Sequence, residues 1–195
     1  MTNRTMVRCM AALVVGAASL AAWAQPAELE GVKLAPTAQV GAATLQLNGA
    51  GVRTRAIFSV YVAALYVPQK ATDAAALLAQ KGPRRITLTM LRSVDADTFA
   101  EALNDGLRKN HGEAQLTGFK AQIEALNANL KAAGEAKKGD VIQLEFTPET
   151  GTRVTVNGQA KGSAIPGEDF YTAVLRIWLG DKPVDGSLKK GLLGG

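Results

Sequence analysis

The sequence is poor in the residues that carry most protein chemistry: among its 195 residues are one cysteine and one histidine. The cysteine, Cys9, lies in the first two dozen residues, and the histidine, His111, stands alone. An ordinary zinc site or a Cys–His nucleophile pair cannot be assembled from these. A Ser-His-Asp triad would have to use His111, which sits in Asn110-His111-Gly112, a pattern that ends a helix. Aromatic residues make up 5% of the chain and are scattered, against a stacking platform for single-stranded nucleic acid. Lys137-Lys138 and Lys189-Lys190 are short clusters of the kind found on solvated surface, so no nucleic-acid partner is expected. Gly49-Ala50-Gly51 lacks the third glycine and the helix start of a dinucleotide fingerprint. No cofactor and no metal are expected.

What is present begins at the N-terminus. Arg4 and Arg8 form a basic head with no acid near it, followed by an apolar run from Cys9 to Trp23 that closes on Ala22-Trp23-Ala24. Head, apolar core and small-x-small exit, in that order, predict a cleavable export signal over residues 1–24. The run is short for a bilayer span of about 20 residues, and no second long apolar run follows. The domain is therefore expected at residues 25–195, without stable membrane insertion after cleavage. Removal of the signal takes two arginines and no acid, lowering the formal charge from +5 to +3. Cys9 leaves with it, so packing alone must hold the domain together.

Along the domain, periodicity alternates between strand and helix. A short strand is expected at Val32–Leu34. Leu45 and Leu47 alternate with Gln46 and Asn48, Asn48-Gly49-Ala50-Gly51 reads as a break, and Val52–Val67 reads as one or two further strands stopped by Pro68. Thr72–Lys81 reads as a helix capped by Thr72, and Arg84–Leu91 as a strand with one apolar face. A helix capped by Asp95 or Asp97 carries Phe99, Leu103 and Leu107. A second stripe, Leu116, Phe119, Ile123, Leu126 and Leu130, stops at Gly134. Val141–Thr147, Thr152–Asn157 and Gln159–Ile165 read as strands, the last two joined by the hairpin dipeptide Asn157-Gly158. Asp169–Leu179 and Asp185–Leu193 read as helices, with Glu168-Asp169 as favourable charges at a helix start. Strands, helices, strands, helices make an α+β domain with a mainly antiparallel sheet covered by helices.

Arg53 and Arg55 interrupt the apolar region, with Tyr61 and Tyr66 downstream. Arg55 reads as exposed. Arg53 has two readings, an exposed strand-end residue or a guanidinium pointing into a cavity beside the sheet. A buried guanidinium is costly unless paired, and no acid stands near Arg53 in sequence. A ligand carboxylate or enolate would complete such a site, because the arginine fork matches planar oxyanions.

The stretches Leu47-Asn48-Gly49-Ala50-Gly51-Val52-Arg53, Val60-Tyr61-Val62-Ala63-Ala64-Leu65-Tyr66-Val67 and Phe170–Val184, then Leu188-Lys189-Lys190-Gly191-Leu192-Leu193-Gly194, resemble the chalcone isomerase-like family, in particular its exported bacterial branch. The resemblance spans about Ala43 to Gly194. It implies an open-faced β-sandwich, a large antiparallel sheet with helices layered on one face, and a periplasmic location. In the family's plant enzymes an arginine stabilises the substrate oxyanion, and Arg53 stands at that position. Tyr61 stands where those enzymes carry threonine, as in the family's fatty-acid-binding branch. Ile177 replaces an expected threonine or serine, and no tyrosine occurs between Leu107 and Leu126. The resemblance thus implies a non-catalytic binding protein for a fatty acid or other small apolar carboxylate, with Arg53 and Tyr61 as ligand-binding residues. The alternatives are an isomerase or lyase acting on a small phenolic or enolisable substrate, with Arg53 as oxyanion stabiliser, and an interaction protein docking through Leu188–Leu193. An apolar tunnel ending at Arg53 would favour binding, converging polar groups catalysis, and a filled core interaction.

Overall fold

The computed structural model describes residues 27–195. The expected signal and its cleavage point lie outside the described residues. The described chain opens with a small hairpin, β1 (Ala27–Leu29) and β2 (Val32–Leu34). Then β3 (Thr37–Val40), β4 (Ala43–Arg55) and β5 (Phe58–Val67) follow as a continuous meander. Helix α1 (Ala74–Ala79) precedes β6 (Arg84–Met90). Helices α2 (Ala96–Asn110), α3 (Glu113–Gly118) and α4 (Lys120–Ala133) precede β7 (Val141–Thr147), β8 (Gly151–Val156) and β9 (Gln159–Ile165). Helices α5 (Glu168–Leu179) and α6 (Gly186–Leu192) close the chain. β3 to β9 form one seven-stranded antiparallel sheet in chain order, which is the expected α+β architecture.

The alternating strands divide their side chains between two apolar clusters. On the helix-covered side, Leu65, Ile86, Leu88, Leu144 and Val154 meet Leu107, Leu126 and the α5 residues Phe170, Tyr171, Val174, Ile177 and Trp178. Each large side chain buried this way contributes about 1.5–3 kcal/mol of transfer free energy. On the opposite face a smaller cluster, Leu34, Val40, Leu45, Val62, Ala64 and Tyr66, lies against the β1–β2 hairpin.

Four local expectations change. Asn48-Gly49-Ala50-Gly51 does not break the strand: β4 runs through it, with a register shift between Leu47 and Gly49. The glycines are there because α6 lies against the β4 backbone: a Cβ on Gly49 would stand 2.2 Å from the Gly191 carbonyl oxygen. The cap of α1 is Asp73 rather than Thr72, its carboxylate accepting from the Ala76 N–H at 2.8 Å. The Leu116–Leu130 stripe is two helices joined at Phe119, whose ψ of 9° interrupts regular winding. β1 and β3, where no strand was expected, pair with β2 and β4 respectively.

Strand register positions the candidate site. Arg53 on β4 pairs with Tyr61 on β5, and Tyr61 pairs with Met90 on β6. Cross-strand partners share a face, so the three residues form a row on the helix-facing side at one end of the central strands.

Candidate functional site

Tyr61 is buried, and desolvation pushes its phenol up to about 12, with the Trp178 hydrogen bond and the Arg53 charge opposing more weakly. It is therefore a neutral hydroxyl at any physiological pH. The Trp178 indole N–H donates to its oxygen at 3.0 Å. That bond uses an oxygen lone pair and leaves the hydroxyl hydrogen to donate, and among the described residues no acceptor takes it.

The Arg53 side chain is 25% exposed. Its Nη1 donates to the Thr54 carbonyl and faces Asp185 Oδ2 at 3.5 Å. Its Nε and Nη2 make no hydrogen bond among the described residues. Asp185, the N-cap of α6, supplies the acid that sequence proximity did not. Its Oδ2 accepts from the Thr54 N–H at 3.0 Å, and its Oδ1 from the Ser187 and Leu188 N–H groups at 2.9 and 3.1 Å. Burial alone would raise the Asp185 carboxyl, but these backbone donors and Arg53 outweigh it and hold it below the usual carboxylate range. Gly51 lets the segment after Asp185 lie close, since a Cβ there would stand 2.9 Å from the Leu188 carbonyl.

The arrangement is an arginine with one edge held by an internal carboxylate and the other edge open, beside a buried phenol with an unused hydrogen. The structure brings Arg53 and Tyr61 together and leaves Arg55 exposed. Asp185 and Trp178 complete the site. The sequence places Asp185 at the start of a helix; that it caps the helix and faces an arginine on β4 comes from the structure. Met90, Phe99, Leu103, Ile177 and Trp178 pack the layer between sheet and helices, which is closer to the filled core expected of an interaction protein than to the tunnel expected of a binding protein. Ile177 closes tightly on α2, where a Cβ on Gly106 would stand 2.6 Å from its Cγ2. Cavities lie elsewhere, one of about 390 Å³ between α2 and α4 beside Asn104 and Asn127. Another, of about 240 Å³, lies on the opposite face of the sheet beside Tyr66, Arg85 and Thr87. His111 ends α2 with its Nε2 3.1 Å from the Ala173 carbonyl, a structural contact.

A second arginine was missed altogether. Arg84, fully buried, pairs with Glu168 at 2.8 Å and stacks over the rings of Tyr171 and Phe146 at 5.3 and 5.6 Å. Its Nε and Nη1 donate to the Gly82 carbonyl and Thr172 Oγ1. Desolvation lowers its pKa, with Tyr171 and Glu168 opposing.

The chalcone isomerase-like family profile matches residues 26–194. The chain belongs to that family. Among solved structures, the fatty-acid binding protein of Arabidopsis thaliana superposes with a TM-score of 0.63 at 15% identity. The match covers 84% of this chain and 92% of the plant chain, and shows the same fold. No curated protein matches in sequence.

Proposed function

We propose that this member of the chalcone isomerase-like family is an exported, periplasmic protein that binds a fatty acid or another small apolar carboxylate without transforming it. The observation that carries this reading is the pair of unused donors, the open edge of Arg53 and the hydroxyl hydrogen of Tyr61, side by side on adjacent strands. A carboxylate has two coplanar oxygens: one meets the guanidinium edge, the other accepts from the phenol. Asp185 compensates the arginine when the site is empty, which lowers the cost of holding a partly buried cation. The plant neighbour is a fatty-acid binding protein, which supports the same ligand class.

The alkyl tail enters the apolar layer by displacing side chains. Met90, the register partner of Tyr61, is the most adaptable of them, having three rotatable bonds and a polarisable thioether. Association should therefore be slower than a preformed pocket allows. Catalysis is less well supported. Asp185, the acid beside Arg53, is hydrogen-bonded through both oxygens and held low in pKa, which makes it a weak base at neutral pH.

Native mass spectrometry of the protein released from its own periplasm tests both parts. The mass should correspond to a start near Gln25, with an apolar carboxylate bound. Arg53→Ala should weaken fatty-acid binding by about 1.5–3 kcal/mol, the scale of a charged hydrogen bond, while Arg55→Ala leaves it nearly unchanged. Equal effects from the two substitutions would reject the site.

A further inference from the structure

Among the described residues two large apolar side chains are exposed, and they are neighbours: Ile57 is 86% and Phe58 52% exposed. They occupy the tip of the β4–β5 hairpin, where Arg55 pairs with Phe58 across the two-residue turn Ala56-Ile57. Ala56 holds that turn at a φ of 54°, a left-handed conformation unfavourable for a residue with a Cβ. The tip is thus a tight turn that carries an isoleucine into water.

Its surroundings are basic. The Arg92 guanidinium lies 4.5 Å over the Phe58 ring. Arg53 and Arg55 stand on the same hairpin, and no acid occurs between Gly51 and Val67. Lys137 and Lys138 lie in the turn before β7, joined to the end of β6 through the Gly139 N–H to Met90 carbonyl bond at 2.8 Å. The acids at this end are mostly engaged. Asp185 faces Arg53, Asp140 accepts from the Lys137 N–H and Asn157, and Asp95 caps α2. Asp95, Asp97 and Glu135 are the exposed acids near this end, Asp97 lying 3.2 Å from Lys131.

We propose that the β4–β5 tip docks on an anionic phospholipid surface, Ile57 and Phe58 entering the headgroup boundary while Arg55 and Arg92 meet lipid phosphates. A protein partner fits less well. A stable protein interface covers about 800 Å² on each side, whereas two side chains on a narrow turn offer a small convex point, suited to a fluid surface that closes around it. Basic residues near an anionic leaflet add attraction that falls with salt, and apolar insertion supplies the part that does not. Arg53 lies on the same hairpin four residues before Ile57, so a carboxylate leaving the bilayer would reach it directly; that last step alone rests on the proposed ligand.

The test is co-sedimentation of the chain, with its N-terminal segment as the cell leaves it, on vesicles free of fatty acid. One set contains about 30 mol % phosphatidylglycerol in phosphatidylcholine and the other phosphatidylcholine alone; the expected preference for the first is about tenfold or more. Ile57→Ser/Phe58→Ser should lose about tenfold on the anionic vesicles. Arg55→Gln/Arg92→Gln should markedly reduce the salt dependence, the remainder coming from Arg53, Lys137 and Lys138. All four side chains are exposed, and unchanged thermal unfolding of each variant confirms an intact fold. Wild-type protein that ignores both vesicle types overturns the proposal and leaves the tip to a protein partner. Equal sedimentation of wild type and the Ile57/Phe58 variant overturns it too. Arg53 is untouched and no fatty acid is present, so either failure is separate from failure of the carboxylate site.

Discussion

Arg53 and Arg84 both lie at the helix-facing side of the sheet, yet their surroundings give them different work. Arg84 is fully enclosed and every one of its nitrogens has a protein acceptor. Arg53 keeps a quarter of its side chain in water and has one engaged edge. Each has a carboxylate partner, Glu168 for Arg84 and Asp185 for Arg53, so what distinguishes them is the open, partly hydrated edge of Arg53. A carboxylate ligand at that edge, as proposed, would compete with Asp185 and be repelled by its charge. Asp185→Asn keeps an acceptor for the α6 N-terminus and removes the charge. Carboxylate binding should then tighten by about three- to tenfold, roughly 1 kcal/mol of relieved repulsion at a partly screened site. Stability should fall by up to about 1 kcal/mol as the charge at the α6 start and its pairing with Arg53 are lost. The pH dependence follows from the lowered Asp185 carboxyl. Its stabilising share is complete above the unfolded value of about 3.9 and is lost as pH falls through the still lower folded value. Thermal melts between pH 6 and pH 2.5 should show an acid loss in the wild type that is smaller in the Asn variant. An unchanged ligand affinity in Asp185→Asn would show that the carboxylate does not compete for the arginine.

At the scale of elements, the contact of β4 with α6 decides how the site is built. The two backbones meet at glycines: Gly49 and Gly51 on the strand, Gly191 on the helix, where a Cβ would stand 2.3 Å from the Ala50 carbonyl. Gly49→Ala should therefore cost about 2–3 kcal/mol in chemical denaturation, because backbone on both sides must separate. Gly118→Ala, exposed in the last turn of α3 with nothing within 4 Å of the new methyl, should be neutral or slightly stabilising. Similar losses at both positions would mean that loss of glycine, and not the close approach, sets the cost. The same contact shows where sequence reading succeeds and stops. Alternation in Arg84–Met90 and Val141–Thr147 reports one buried face, and those strands were legible. Gly49-Ala50-Gly51 carries no alternation, and its glycines answer to a helix some 140 residues later in the chain, so it read as a break. Arg84 shares strand parity with Ile86, Leu88 and Met90, the one local sign of its burial. Nothing local marks Glu168 as its partner or Trp178 as the donor to Tyr61. Those pairings are made by tertiary packing between segments far apart in sequence.

For the whole molecule, two ion pairs tie the helical layer to opposite ends of the central strands. Arg53 to Asp185 joins β4 to the start of α6, near the Tyr61–Met90 end. Arg84 to Glu168 joins β6 to the start of α5, near the Tyr66–Arg85 end. The second end is closed: Glu168 Oε1 also accepts from the Gly82 N–H at 2.9 Å, and the Tyr171 hydroxyl donates to the Leu144 carbonyl at 2.9 Å. The first end is where donors remain and where the apolar hairpin tip projects. Ligand entry should therefore loosen one end of the sheet–helix sandwich while the other holds. Breaking only one side of the closed pair tests this division. Glu168→Leu leaves a buried guanidinium without its counter-ion and should cost about 3 kcal/mol of stability, since an uncompensated buried charge is worse than no charge. Arg84→Met/Glu168→Leu removes both charges and should return to within about 1 kcal/mol of the wild type, because an apolar pair of similar volume avoids the desolvation cost. Fatty-acid affinity, measured where each variant is fully folded, should match the wild type in both. If Glu168→Leu weakened the ligand as much as Arg53→Ala does, the two ends would be coupled through the apolar layer, and the division between a holding end and a binding end would have to be abandoned.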